Sequence, residues 1–342
     1  MKKLLLPLLV FLIASCTKGT YENPLRTSSG NLLCVADPCV YKVDDTYFLT
    51  CSAENGFTYY TSKDLVVWDS CGMLFEMPED CNVHKMLWAS EVAMHNEKFY
   101  LTFSGWDEGS KKLVTCLAIS ENPRGPFTLK YCPWIELEND HAIDSHLFFD
   151  TDGQGYVYFS ENGPNIGEIG GGALRMAKLK EDMSGIDGEI LHVNDEMQEW
   201  ETRSYCRNVS CNEAPTVFIH NGIYYMTYSS NETHMGDYAV GVQTAPSPLG
   251  PWKKADYNPI LQTTYDAPEK SEGGLPIVDS PGHNGIVLAP NGKDLYLIYH
   301  RHAPWVKEFP SNDRVTCLDR MWFDEEGRIC TSGPSYTPQP KP

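Results

Sequence analysis

The chain has 342 residues and a formal net charge of −19, from 27 Lys and Arg against 46 Asp and Glu. Such acidity repels phosphate, so nucleic acid is a poor partner, while a neutral ligand is compatible with it; solubility of an exported protein is its simplest meaning. No second low-complexity linker divides the chain, which reads as one large domain rather than two.

The N-terminus reads as an address. Lys2 and Lys3 precede an apolar run from Leu4 to Ile13, too short to span a bilayer as a helix. It ends in Ile13-Ala14-Ser15-Cys16, similar to a bacterial lipobox, which predicts a signal peptide over 1–15 and a lipid anchor on Cys16. Residues 16–31 then form a flexible tether, residues 32–331 the folded domain, and residues 332–342, with four prolines, a C-terminal tail. An exported lipoprotein at the periplasmic or outer cell surface is expected. Besides Cys16 there are eleven cysteines, an odd number without CxxC spacing. Cys39, Cys51 and Cys116 lie in strand-like runs and are expected as free, buried thiols, while Cys206 and Cys211 share a loop that would allow pairing.

A hairpin then recurs five times. Its second strands are Tyr47-Phe-Leu-Thr-Cys-Ser52, Phe99-Tyr-Leu-Thr-Phe-Ser104, Tyr156-Val-Tyr-Phe-Ser160, Tyr224-Tyr-Met-Thr-Tyr-Ser229 and Leu295-Tyr-Leu-Ile-Tyr-His300. Each follows a turn of the Asn-Gly or Asp-Gly kind: Asp44-Asp45, Asn96-Glu97, Asp152-Gly153, Asn221-Gly222 and Asn291-Gly292. The copies start 52, 57, 68 and 71 residues apart, enough for a four-stranded blade and its loops. Third strands such as Leu113–Ser120 end before Pro/Gly corners, Asn122-Pro-Arg-Gly-Pro-Phe127 and Ser247-Pro-Leu-Gly-Pro-Trp252. The prediction is an all-β, five-bladed β-propeller with its active site at the central channel.

At or near the start of each first strand stand Asp37, Glu91, Asp144, Glu213 and His283. Inner strands of a propeller start around one axis, so these groups should converge. The carboxylates Asp37, Asp144 and Glu213 among them raise one another's pKa, a cost that a fold tolerates where chemistry uses it. Glycoside hydrolysis needs such a set: a protonated carboxyl for the leaving oxygen and an ionised one for water or the anomeric carbon. A third can hold the acid's pKa up.

The segments Ala36-Asp37-Pro38, Trp88-Ala-Ser-Glu-Val92, Ile143-Asp-Ser-His-Leu-Phe148, Asn212-Glu-Ala-Pro215 and Gly282-His-Asn-Gly285 resemble glycoside hydrolase family 43. That family comprises five-bladed propeller hydrolases acting on arabinose- and xylose-containing glycans. With the blade corners and the segment from Asp313-Arg314 to Gly327, the resemblance covers roughly residues 31–330. It implies Asp37 as general base, Glu213 as general acid and Asp144 as pKa modulator of an inverting enzyme. It implies Arg314 at the sugar, with Arg301 and Arg320 as competitors. His283 would contact a structural calcium, directly or through water, although calcium prefers oxygen ligands; no other cofactor is required. Trp88, Trp106, Glu91 and Trp305 are expected near the substrate, an oligo- or polysaccharide.

Departures from the family pattern mark a divergent branch. Ser90 stands where Pro is usual, Ala214 where Gly is common, and Ser145-His146 directly follows Asp144. Two rivals remain: a non-catalytic glycan-binding propeller, and a retaining fructan hydrolase, whose Asn-Asp-Pro-Asn and Arg-Asp-Pro motifs are matched poorly here.

Overall fold

A computed structural model of the chain describes residues 19–163, 172–202, 211–233, 236–265, 277–303 and 314–342. It is a five-bladed β-propeller. Each blade is an antiparallel meander whose first strand is innermost. Blade one comprises Val40–Val43, Thr46–Ala53, Gly56–Ser62 and Val67–Glu76; blade two comprises Val83–His95, Lys98–Asp107, Lys112–Ser120 and Thr128–Ile135. Blade three is His141–Phe149, Gly155–Asn162, Gly172–Lys178 and Leu191–His192. Blade four is Asn212–His220, Ile223–Ser230, Ala239–Ala245 and Lys253–Lys254, and blade five is Asp279–Leu288, Leu295–His302, Arg314–Phe323 and Ile329–Thr331.

The recurring turns close the hairpins as their residue types require. Asp44, Asn96, Glu97, Asn221, Gly222, Gly153 and Gly292 all have positive φ, which Asn, Asp and Gly tolerate best. Alternation along each strand buries both faces between blades, so the apolar core divides into five clusters, one per blade junction. Phe48, Phe57, Phe75, Phe99 and Phe103 fill the junction of blades one and two. Tyr47, Trp68, Ile298 and Leu318 fill that of blades five and one. Both corner aromatics, Phe127 and Trp252, are buried in such junctions.

Hydrogen bonds at the inner strands repeat around the ring. Thr50 Oγ1 donates to the Ser90 carbonyl (2.8 Å) and Thr102 Oγ1 to that of Ser145 (2.7 Å), each reaching into the next blade. The strand-end residues of the repeat have a matching task. Ser104 Oγ accepts the Asp144 amide (3.0 Å), Ser229 Oγ the His283 amide (2.8 Å) and His300 Nδ1 the Asp37 amide (3.1 Å).

Three expectations are corrected. The segment read as a tether is packed on the propeller from Thr20 onward: Thr20–Tyr21 pairs with Gln339–Pro340 of the tail, and Arg26–Thr27 runs parallel to Val67–Trp68 of blade one. Tyr21 and Leu25 are buried, Tyr21 Oη donates to the Leu318 carbonyl, and the Leu25 amide donates to that of Thr316. Both ends of the domain thus strap blade five to blade one, a junction without a shared strand. Secondly, Cys116 is not a free thiol but is bonded to Cys132 on the adjacent strand. Thirdly, Cys39 and Cys51 are half-buried rather than buried; Cys317 is a buried free thiol. Cys211 is disulfide-bonded, and Cys206 lies outside the described residues. Residues 1–18, including Cys16, and Trp305 also lie outside them. Among the described residues no helix is long and apolar enough to cross a membrane.

Candidate active site

Four inner strands carry a β-bulge at the same register. Trp88, Ile143, Glu213 and Gly282 pair with Ser104, Ser160, Ser229 and His300; three residues later Glu91, His146, Thr216 and Gly285 face positions only two residues back. The residue after each paired position has positive φ: Ala89 (46°), Asp144 (54°), Ala214 (53°) and His283 (49°), with Asp37 (50°) as the blade-one counterpart. Left-handed backbone at a non-glycine residue costs about 1–3 kcal/mol and persists where surrounding structure enforces it. The inter-blade bonds to the amides of Asp37, Asp144 and His283 are that enforcement.

This register corrects the sequence alignment of the five strand starts. Asp37, Asp144 and His283 are true equivalents, but their counterparts in blades two and four are Ala89 and Ala214. Glu213 stands one residue earlier and Glu91 two later. A one-residue offset reverses the direction of a strand side chain, so the bulge lets Glu213 approach the others from its own side. Trp88 shares Glu213's register position and is exposed.

Around Asp37 three partners meet one oxygen. Arg314 Nη1 lies 2.9 Å from Oδ1, His283 Nδ1 3.1 Å and His300 Nδ1 3.3 Å. Burial alone would raise the Asp37 pKa, but the charges of Arg314 and His283 outweigh it and hold the carboxyl well below the usual range. Burial pushes His300 down to about 3, so it is a neutral ring whose Nδ1 accepts the Asp37 amide. His283 is also buried, which disfavours its charged form, yet Asp37, Asp144, Glu213 and Glu91 raise its pKa above the ordinary value.

The other two carboxyls are shifted in the opposite sense. Asp144 is buried; desolvation raises its pKa, His283 opposes this, and the charges of Asp37 and Glu91 add to it. Its carboxyl accepts the Ala214 amide. Glu213 is raised by burial first and by the charge of Asp144 next. Its Oε1 accepts a 2.6 Å bond from the Tyr238 hydroxyl. Both carboxyls are thus raised beside one that stays ionised, and within the pair the ionised form of Asp144 holds the proton on Glu213.

The five inner strands enclose a cavity of about 110 Å³ lined by Asp37, Cys39, Glu91, His146, His283 and Asn284 among others. Across it His146 Nδ1 lies 2.7 Å from Glu91 Oε2, and His146 Nε2 lies 3.3 Å from the Val217 carbonyl. Glu91 is therefore placed in the channel, tied to blade three. For the calcium expected at His283, directly or through water, the described residues supply His283 and no cage of protein ligands around it. His283 Nδ1 faces Asp37, Glu91 is taken by His146, and no three His, Cys, Asp or Glu side chains converge on a metal position among the described residues.

Of the remaining expected residues, Trp106 is half-buried and leans on His141 at 6.1 Å, a packing position at the blade two–three junction. Arg320 pairs with Asp294 at the surface, and Arg301 is buried with Nη1 on the Ile277 carbonyl. Arg314 alone of the three is at Asp37. Sequence reasoning missed His300, Tyr238 and Ser229. His300 was visible as the one strand-end residue that is not Ser; Tyr238 carried no signal beyond a β-strand composition.

Residues 31–329 match the profile of Glycosyl hydrolases family 43. A β-D-galactofuranosidase of Aspergillus niger is 27% identical, with 95% of this chain and 92% of that protein aligned. A xylosidase/arabinosidase of Humicola insolens is also 27% identical, over 77% of this chain and 80% of its own. The crystal structure of a thermostable family-43 glycoside hydrolase superposes with a TM-score of 0.82 at 32% identity, covering 94% of this chain and 99% of the other. Profile, relatives and architecture agree, and the chain belongs to glycoside hydrolase family 43.

Proposed function

We propose that the chain is an inverting glycosidase that removes terminal pentose, α-L-arabinofuranose or β-D-xylose, from plant-type polysaccharides or their oligosaccharides. The observation that carries this reading is the opposite electrostatic setting of Asp37 and Glu213, one held ionised by Arg314 and the other kept protonated by burial beside Asp144. Pairs of titratable groups pushed apart in this way mark the base and the acid of a site.

In this mechanism Asp37 takes a proton from a water molecule, and the resulting hydroxide character attacks the anomeric carbon. Glu213 gives its proton to the glycosidic oxygen as the C–O bond breaks. Attack from the face opposite the leaving group inverts the configuration, which requires base and acid to stand about 6.5–9.5 Å apart. Arg314 and His283 gather at Asp37 Oδ1, which leaves Oδ2 for the water. Asp144 keeps Glu213 protonated between turnovers, and Trp88, exposed at Glu213's register position, offers a face for the sugar ring.

The Aspergillus relative brings a second glycone into view. β-D-Galactofuranose shares its ring configuration with α-L-arabinofuranose and adds one exocyclic carbon, so a furanose-shaped pocket could serve both. Release of 4-nitrophenol from the α-L-arabinofuranoside, the β-D-xyloside and the β-D-galactofuranoside, with Asp37→Asn as control, tests the reading and names the sugar. Cleavage that persists in Asp37→Asn, or absence of cleavage of all three, would overturn it. We further propose lipidation at Cys16 after export, supported by the lipobox-like segment. Radiolabelled palmitate incorporated by the wild type and not by Cys16→Ala is the expected result.

A further inference from the structure

We propose that Tyr238 is a positioning residue for Glu213: by donating to Oε1 it keeps the transferable proton on Oε2, facing the leaving group. This deepens the reading of Glu213 as general acid and rests on it.

Tyr238 lies just ahead of the third strand of blade four, Ala239–Ala245, and is 1% exposed. Its ring is held on two sides. Gly282 sits against it so closely that a Cβ there would come within 2.1 Å of the ring carbon Cε1. The ring also stacks on His300 at 5.9 Å and 9°, and His300 in turn bonds the Asp37 amide. Tyr238 thus spans from the acid to the base through one rigid aromatic pair.

The hydrogen-bond directions leave little freedom. Ser229 Oγ accepts the His283 amide at 2.8 Å, which leaves its own proton to be offered toward the neighbouring Tyr238 hydroxyl. Tyr238 gives its own proton to Glu213 Oε1, at 2.6 Å. Burial and the neighbouring Glu213 raise the phenol's pKa well above its ordinary value, so it stays a donor at any working pH. Once Oε1 is occupied as an acceptor, a proton on Glu213 resides on Oε2. A plain packing role for a buried tyrosine would need the ring but not this bond.

Tyr238→Phe keeps the ring against Gly282 and His300 and removes only the donor, which makes the roles separable. The rates to compare, in the full chain, are those on a 4-nitrophenyl glycoside and on a disaccharide with the same terminal sugar: xylobiose for the xyloside, arabinobiose for the arabinofuranoside. 4-Nitrophenolate departs without protonation, whereas a sugar alkoxide needs the acid. The expected result is a loss of about ten-fold or more on the disaccharide, with the aryl glycoside within about three-fold of wild type. The alkaline limb of the disaccharide pH profile should move up by about one unit, because ionised Glu213 has lost a donor. In a Glu213→Gln background the change should have no further effect on the disaccharide. Equal losses on both substrates, an unmoved alkaline limb, or additive losses in the double variant would overturn the proposal. Wild-type disaccharide turnover in Glu213→Gln alone would instead sink the assignment of the acid.

Discussion

Arg314 and Asp37 are joined at 2.9 Å across 277 positions of sequence. The contact joins blade five to blade one between the two straps, within a few tens of residues of each. It also sets the charge state of the site, since Arg314 is the strongest of the partners that offset the burial of Asp37.

Replacing Arg314 with Met should therefore raise the Asp37 pKa and move the acidic limb of kcat/KM to higher pH. The sign follows from linkage. Asp37 is depressed in the folded state, so its stabilising contribution is complete above its ordinary value near 3.8 and is lost as pH falls through the depressed one. In Arg314→Met that contribution is smaller, and its loss is complete at a higher pH. Thermal melting across the acidic range, alongside the pH–rate profile, checks both; an unmoved acidic limb would show that Arg314 does not tune Asp37.

Asp144 and Glu213 have the opposite linkage. Both are raised, so their favourable contribution is complete below the ordinary carboxyl range and is lost as pH rises through their raised values. Asp144→Asn removes a charge that acts on Glu213, so its pKa falls and the alkaline limb moves to lower pH. Each pKa unit relieved returns about 1.4 kcal/mol, so the variant should melt higher than wild type at mildly alkaline pH. Turnover of disaccharide should fall by about 100-fold. A lower melting temperature at alkaline pH would contradict the assignment of like-charge repulsion.

Gly282→Ala tests the seat of Tyr238 from outside the reacting groups. The added methyl overlaps the Tyr238 ring at 2.1 Å, and the buried ring cannot yield without moving its hydroxyl off Glu213. We expect a destabilisation of about 1–3 kcal/mol and a disaccharide rate at least as low as in Tyr238→Phe. Urea denaturation and steady-state rates measure the two effects, and wild-type values for both would mean that the Tyr238 ring has room to move.

At the outer edge of blade four, Lys254 Nζ lies 2.7 and 2.9 Å from the two Glu201 carboxylate oxygens and 2.5 Å from the Glu196 carbonyl. Both side chains are almost wholly buried, at 1% and 0% exposure. Lys254→Met strands a buried carboxylate and should cost about 3–5 kcal/mol. The double variant with Glu201→Leu should recover much of that, because no uncompensated charge remains. Chemical denaturation of both variants decides; equal losses in single and double would assign the effect to packing.

The propeller was legible because its signal is local and repeated. Five apolar hairpins with Asn, Asp and Gly at their turns encode strand, turn and strand within short windows, and every copy reports the same blade. The candidate residues were legible for a related reason: Asp37, Asp144, Glu213 and His283 recur at strand starts that the fold gathers on one axis. What could not be read was the offset. A bulge adds one residue to the inner strand without changing its composition, so Glu213 and Glu91 looked equivalent to Asp37 when they are not.

Sequence by itself determined the blades, their number and the carboxylates, because hydrophobic alternation and turn chemistry act between near neighbours in the chain. Tertiary structure alone decided which carboxyl is ionised, since that depends on charges delivered from other blades. Arg314 and His283 come to Asp37 from the far end of the chain, Asp144 to Glu213 from the preceding blade, and Tyr238 to Glu213 from two strands away. The same holds for the segment around Tyr21: its polar composition reads as a tether, and only the edge of blade five, with carbonyls awaiting donors, makes it a strap. Electrostatic and edge-pairing energies act through space, and the sequence order carries no record of the distances that set them.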